Sequence, residues 1–234
     1  MIESPQFPPL FSGEVVPKHM DPFDKAVSRA IAGVDSGTIF YSEAIDVLRA
    51  ALVLAPETPL EEAIQAVYVA QIGLAESLGA LAPPEVPVHF QWPDRIKVNG
   101  AVCGGVRFAA DVSDPLAYPN WLVIGIDVPF MNLSDEPGEN PNRTCLHEEG
   151  CVEITSMALL ESWSKHTLLW LTYLMDSGFA RVHKEWRPRC DTLGEVINQP
   201  KSGVFVGLDE KGRMLLRQGV MTETVSLIEF AEHL

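Results

Sequence analysis

Basic residues are scarce in this chain: 17 lysines and arginines stand against 32 aspartates and glutamates, for a formal net charge of −15. Nucleic-acid binding depends on clustered Lys and Arg that neutralise phosphates, so this balance argues against a nucleic-acid partner. Cysteine is also sparse. Cys103, Cys145, Cys151 and Cys190 form no CxxC pair and no disulfide framework, and they read as reduced thiols. Uninterrupted apolar runs are short. The longest candidate, residues 157–175, is broken by Glu161, Lys165 and His166, so no membrane span is expected. The N-terminus, Met1-Ile2-Glu3-Ser4-Pro5, lacks a basic region followed by an apolar stretch, so no secretory signal is expected and the cytoplasm is the expected location.

What remains is ordinary globular material. The chain has 234 residues, 47% hydrophobic and 21% charged, enough for one sizeable core with a small appendage. The first twenty residues are proline-rich and aperiodic, which suits an extended arm or lead-in strand. Asp21 as N-cap, Pro22 at the first helical position and Gly33 as terminator predict a helix. Strands are predicted at 38–42 and 49–54. Thr58-Pro59-Leu60-Glu61 reads as a capping box opening a helix to about Gly79, with Leu60, Ile64, Val67, Leu74 and Leu78 on one face.

Strands follow near 86–91, 95–98, 103–110 and 121–127, with Asn99-Gly100 as a hairpin turn. A polar loop over 134–143 leads to a long helix near 156–176, ended by Gly178, and to a shorter one over 179–190. After Pro200, strands at 203–208, 213–217 and 222–228 suit a small β-barrel.

The segment Gln91-Trp92-Pro93-Asp94-Arg95-Ile96-Lys97-Val98-Asn99-Gly100, continuing to Gly104-Gly105-Val106, resembles the "KWPNDIKVNGKKIGGIL" signature of biotin protein ligase catalytic domains. Other segments resemble the biotin/lipoate protein ligase family in the same order. Leu122-Val123-Ile124-Gly125-Ile126 is similar to the family's "VVIGIGINV" strand, and Thr144-Cys145-Leu146-His147-Glu148-Glu149-Gly150 to "TSLxEEG". The stretch from Phe179 to Gly194, with Trp186, looks like the helix closing the catalytic domain.

The resemblance implies an α+β fold: a mixed β-sheet covered by helices, of the class II synthetase/biotin ligase type, over residues 1–198. A small C-terminal SH3-like β-barrel is implied over 199–234. It implies ATP and biotin or lipoate as ligands, a small carboxylic acid as substrate, and a biotin or lipoyl carrier domain as partner. A homodimer is left open, and no metal is implied. The ligand-binding candidates on matching positions are Trp92, Asn99, Gly104, Gly105, Val106, Gly125 and Asp127. The catalytic candidates are Asp94 and Arg95.

The charge-handling positions differ from the pattern. The signature's Asn-Asp is Asp94-Arg95 here, and its ligand-binding Lys falls on Val102, or on Ala101 if the register slips. The "GRGRRG"-type ligand loop is replaced by the short bridge 43–48, which has no glycine and two acids. An adenylate-forming site needs cations on the developing phosphate charge and a loop that excludes water. The expectation is a ligase-like protein impaired or altered in ATP-dependent acyl transfer. The alternative is a non-catalytic protein that binds a small acid or a carrier domain.

Several residues carry two readings. Arg95 replaces the missing Lys, or pairs with Asp94 on a strand surface. Gly104-Gly105 admits a ligand, or admits only close strand packing. Lys97 reads as a solvated surface residue. Cys145 is a structural thiol or a transferase nucleophile, and the spacing of Cys145, His147 and Cys151 offers no fourth metal ligand.

Overall fold

The computed structural model describes residues 4–132, 140–199 and 201–232. Most of the expected polar loop, residues 133–139, lies outside the described residues, as does Pro200.

Seven strands form one mixed sheet: β1 (Ser12–Val16), β2 (Thr38–Ser42), β3 (Val47–Leu54), β4 (Val88–Gln91), β5 (Arg95–Val98), β6 (Ala101–Ala110) and β7 (Leu122–Pro129). Their spatial order is β1-β2-β3-β7-β6-β5-β4. The lead-in arm supplies β1, which pairs parallel to β2. Every other pairing in this sheet is antiparallel.

Alternation along the strands separates two cores. Leu48, Ala50 and Leu52 of β3, with Ile124, Ile126 and Val128 of β7, face the larger core. The helices on that side are α3 (Ala66–Leu81), α4 (Ser156–Ser177) and α5 (Phe179–Trp186). Ala51 and Val53, with Val123, face the smaller core under α1 (Pro22–Ile31). As its sequence predicts, α1 is capped by Asp21, whose carboxylate accepts from Phe23 N at 2.7 Å.

The second predicted helix differs in two ways. A short helix, α2 (Leu60–Ala63), starts one residue late, with Pro59 at the N-cap and no side-chain cap. The carbonyls of Ala117 and Pro115 instead accept from Leu60 N at 2.8 Å and Glu61 N at 3.0 Å, so a distant loop replaces Thr58. The chain then tightens through i→i+3 bonds at Gln65, Val67 and Tyr68 before α3 begins. Among the described residues, 60–81, not 157–175, is the stretch long and apolar enough to match a membrane span, and 78% of its apolar window is buried inside the protein. Gly73 of α3 allows α4 in close: a Cβ there would lie 2.5 Å from Thr167 Oγ1.

The C-terminal strands make a four-stranded antiparallel sheet, ordered β11-β10-β9-β8. They are β8 (Val196–Ile197), β9 (Gly203–Leu208), β10 (Met214–Gln218) and β11 (Met221–Val225). No pairing joins β8 to β11 among the described residues, so this is an open sheet rather than the closed barrel expected. Phe205, Met214, Leu216 and Val225 turn inward and join the large core. Tyr68 Oη of α3 donates to the carbonyl of Gly212 in the β9–β10 turn and accepts from Trp92 Nε1 at 2.9 Å. One fully buried hydroxyl thus ties the appendage to the signature segment.

Candidate functional site

Beyond α1, no helix among the described residues covers the α1 side of the sheet. Register sets Arg49 of β3 opposite Asp127 of β7, Asp127 opposite Gly105 of β6, and Gly105 opposite Arg95 of β5. Two residues along, Ala51, Gly125 and Arg107 form a second row on the same face. A charged residue in an otherwise apolar strand marks where that strand loses its cover. Arg49 within Val47–Leu54 and Arg107 within Ala101–Ala110 carried that signal, which the motif reading passed over.

Four of the seven predicted ligand-binding residues come together here, beside the catalytic candidate Arg95: Gly104, Gly105, Gly125 and Asp127. Their contacts are with the protein itself. Gly104 has φ +100°, and a Cβ on it would sit 2.0 Å from the Asp127 carbonyl oxygen. A Cβ on Gly105 would lie 2.6 Å from the Asp94 carbonyl oxygen, and one on Gly125 would lie 2.6 Å from the Phe23 ring. The bulge at Gly104 also shifts the alternation of β6, so that Cys103, Val106 and Phe108 all face the large core. Val106 therefore points away from this face.

Trp92 is buried in the large core, with its ring edge-on to Phe230 at 5.1 Å between centroids, and a cis bond joins it to Pro93. Asn99 is at the hairpin tip with φ 48°, and its side chain donates to Glu149 at 2.6 Å. These three predicted residues do not meet the other four.

Each cation on the face has a carboxylate. Arg49 Nε donates to Asp127 at 2.8 Å, and that bond, with the charges of Asp21 and Asp46, holds its proton more tightly than usual. Arg95 lies 3.3 Å from Asp94 and keeps about half its surface in water. Lys97, expected to be solvated, instead pairs with Asp191, and both are largely covered. Arg107 is held by Asp21, Asp24 and Glu232.

At the register position of the expected ligand-binding Lys, Val102 carries no charge, and its backbone pairs with Asn142 and Thr144. The bridge between β2 and β3 is only residues 43–46. It is pinned: Ala44 O accepts from Ser156 Oγ at 2.8 Å, and Asp46 O accepts from Phe130 N at 2.8 Å. Cys145 and Cys151 are buried, and His147 packs edge-on to the Phe130 ring.

Desolvation by burial raises the Asp94 carboxyl above its ordinary 3.8, and Arg95 only partly offsets this. A raised folded-state pKa means that stability is lost as pH climbs from about 3.8 through the folded value. Asp94→Asn is therefore expected to raise Tm at pH 7 and to leave it unchanged near pH 3. Equal melting shifts at both pH values would contradict this electrostatic account.

Comparison with known proteins gives one family for this geometry. Residues 7–188 match the biotin/lipoate A/B protein ligase family. The chain belongs to that family.

A biotin–[acetyl-CoA-carboxylase] ligase of Paracoccus denitrificans is 27% identical over 175 residues, spanning 71% of this chain and 72% of that protein. A crystal structure of a biotin protein ligase-like protein of unknown function from Silicibacter sp. TM1040 is 42% identical, covers 98% of this chain and 100% of its own, and superposes with a TM-score of 0.93. The biotin protein ligase of Aquifex aeolicus, solved with biotin and ATP, is 19% identical and superposes with a TM-score of 0.67 over 92% of this chain and 94% of its own. That last likeness bears on the fold alone.

Proposed function

We propose that this member of the biotin/lipoate ligase family binds a small carboxylic acid but is impaired in ATP-dependent acyl transfer to a carrier lysine. The observation that carries this reading is the β2–β3 connection: four residues, pinned at Ala44 and Asp46, where a closing ligand loop is expected. Without such a loop, water reaches any adenylate formed on the face.

The paired cations support the same reading. Arg49, Arg95, Lys97 and Arg107 each spend their charge on an internal carboxylate, and Val102 offers none. Losing one comparable donor costs about 10²–10³ in rate. The acid would be of the biotin or lipoate kind, by analogy with the relatives, and a carrier domain would be the docking partner. We place residues 1–198 as the ligase-like unit and 199–234 as its appendage, acting in the cytoplasm.

The test is incubation of the protein with ATP, a carrier domain, and biotin, lipoate or octanoate in turn, read by mass spectrometry of the carrier. The expected rate is at least about 10³-fold below that of an active ligase run in parallel. Carrier acylation at a comparable rate with any of the three acids would sink the proposal.

A further inference from the structure

Arg107 has more acid around it than one cation requires. Its guanidinium lies 4.3 Å over the Phe23 ring. Nη1 donates to Asp21 Oδ2 at 2.8 Å, and Nη2 reaches Asp24 Oδ1 at 3.4 Å. Both acids belong to the start of α1, where Asp21 already caps the helix and Asp24 occupies its first turn. The third acid comes from far away. Glu232, 125 residues further along the chain, takes Nε at 2.7 Å and Nη2 at 3.0 Å. This two-point contact is the geometry by which arginine recognises any free carboxylate.

Glu232 is delivered by the C-terminal tail, whose backbone N–H at that residue bonds to Phe108 O at 2.8 Å. Its side chain is still 45% exposed. Beside it runs a groove of about 360 Å³ between α1 and β6. Phe23, Val27, Ile31 and Ala109 give the groove apolar walls, and Ile31 is 62% exposed. Asp24, Ser28 and Glu232 complete the lining, so the carboxylate that holds the Arg107 edge is itself part of the groove wall.

We propose that Arg107 is a binding site for an aliphatic carboxylate, and that Glu232 is the internal ligand occupying it in the absence of acid. The incoming acid takes the Nε/Nη2 edge and lays its chain along Val27, Ile31 and Ala109. The incoming carboxylate takes over the Nε/Nη2 bonds, the displaced Glu232 carboxylate turns out to water, and Asp21 keeps Nη1. This inference rests on the reading of the chain as a small-acid binder and names the residue that holds the acid. Burial of each methylene in the groove tightens binding about fourfold, so a tailless acid gains little there.

The test is isothermal titration of the full chain with octanoate and with acetate at pH 7. Glu232→Gln is expected to bind octanoate about tenfold more tightly than the wild type, because the charged competitor is gone. Acetate is expected to give no measurable heat. Adding Arg107→Lys to Glu232→Gln keeps the charge beside Asp21 but removes the fork, and should abolish the gain. Ile31→Asp, at an exposed site where folding is not at stake, should weaken octanoate binding in either background.

Equal octanoate affinity in the wild type and Glu232→Gln would overturn the proposal, as would no binding by Glu232→Gln or a gain that survives Arg107→Lys. Carrier acylation by the wild type would sink the proposed function and leave this titration standing. Octanoate ignored by Glu232→Gln would sink the Arg107 site and leave the impaired acyl transfer untouched.

Discussion

Gly104→Ala is expected to lower the melting temperature by about 10 °C or more, or to prevent folding altogether. At φ +100° any side chain adds strain of about 1–3 kcal/mol. The clash is the larger cost. The new Cβ would sit 2.0 Å from the carbonyl oxygen of Asp127 and 3.1 Å from Cα of Val128. Those are backbone atoms of β7, which is paired along its whole length with β3 and from Leu122 to Asp127 with β6. A flexible side chain could swing away, but a central strand cannot.

Gly100→Ala separates the two terms. Gly100 has φ +89° but nothing within 4 Å of its absent Cβ, so it carries the strain without the clash. Thermal melts of the two variants should differ by several degrees, with Gly104→Ala the worse. If Gly104→Ala melted with Gly100→Ala, the close approach of β7 would not be what requires glycine in the signature.

Trp186→Ala is the second large effect. Trp186 is 1% exposed, edge-on to Tyr68 at 5.2 Å and stacked with Phe90 at 5.7 Å. Its indole N–H donates to Gln71 Oε1 at 2.6 Å, and Gln71, fully buried, passes its amide to Pro93 O at 3.1 Å. Truncation leaves a cavity worth about 3–5 kcal/mol, and strands a buried acceptor at about 1–3 kcal/mol more. The sum is comparable with the whole stability of a domain, about 5–15 kcal/mol. Trp186→Phe keeps most of the packing and isolates the hydrogen bond, so urea unfolding should place its loss within the smaller range. If Trp186→Ala unfolded like the wild type, the Tyr68–Gln71–Trp186 cluster would not be the joint holding the signature segment to α3 and α5.

Much of this architecture was legible in the chain. Asp21, Pro22 and Gly33 bracket α1, and Asn99-Gly100 turns β5 into β6, because caps and tight turns are decided by a few neighbouring residues. The signature and the Leu122–Ile126 resemblance named Gly104, Gly105, Gly125 and Asp127, which lie together on neighbouring strands. Trp92, Val106 and Asn99, named with them, lie away from this face. The bulge at Gly104 alters the alternation of β6, and the hairpin carries Asn99 to the far end of β5. Thr58 read as a helix cap because nothing nearby in sequence reveals that the carbonyls of Pro115 and Ala117 arrive to do that work. Lys97 read as solvated because Asp191 is 94 residues away.

The sequence by itself determined most of the elements, the turn between β5 and β6, the absence of a long bridge between β2 and β3, and the want of a lysine at Val102. Each of these depends on residue identity and local spacing. Only the tertiary structure decided who partners whom. It set Asp127 and Asp94 backbone against the two glycines, opened the C-terminal sheet, and brought Glu232 across the molecule to Arg107. Such contacts join residues on different elements, as far as 125 positions apart, and they are selected by the packing of whole sheets and helices, which no local pattern encodes.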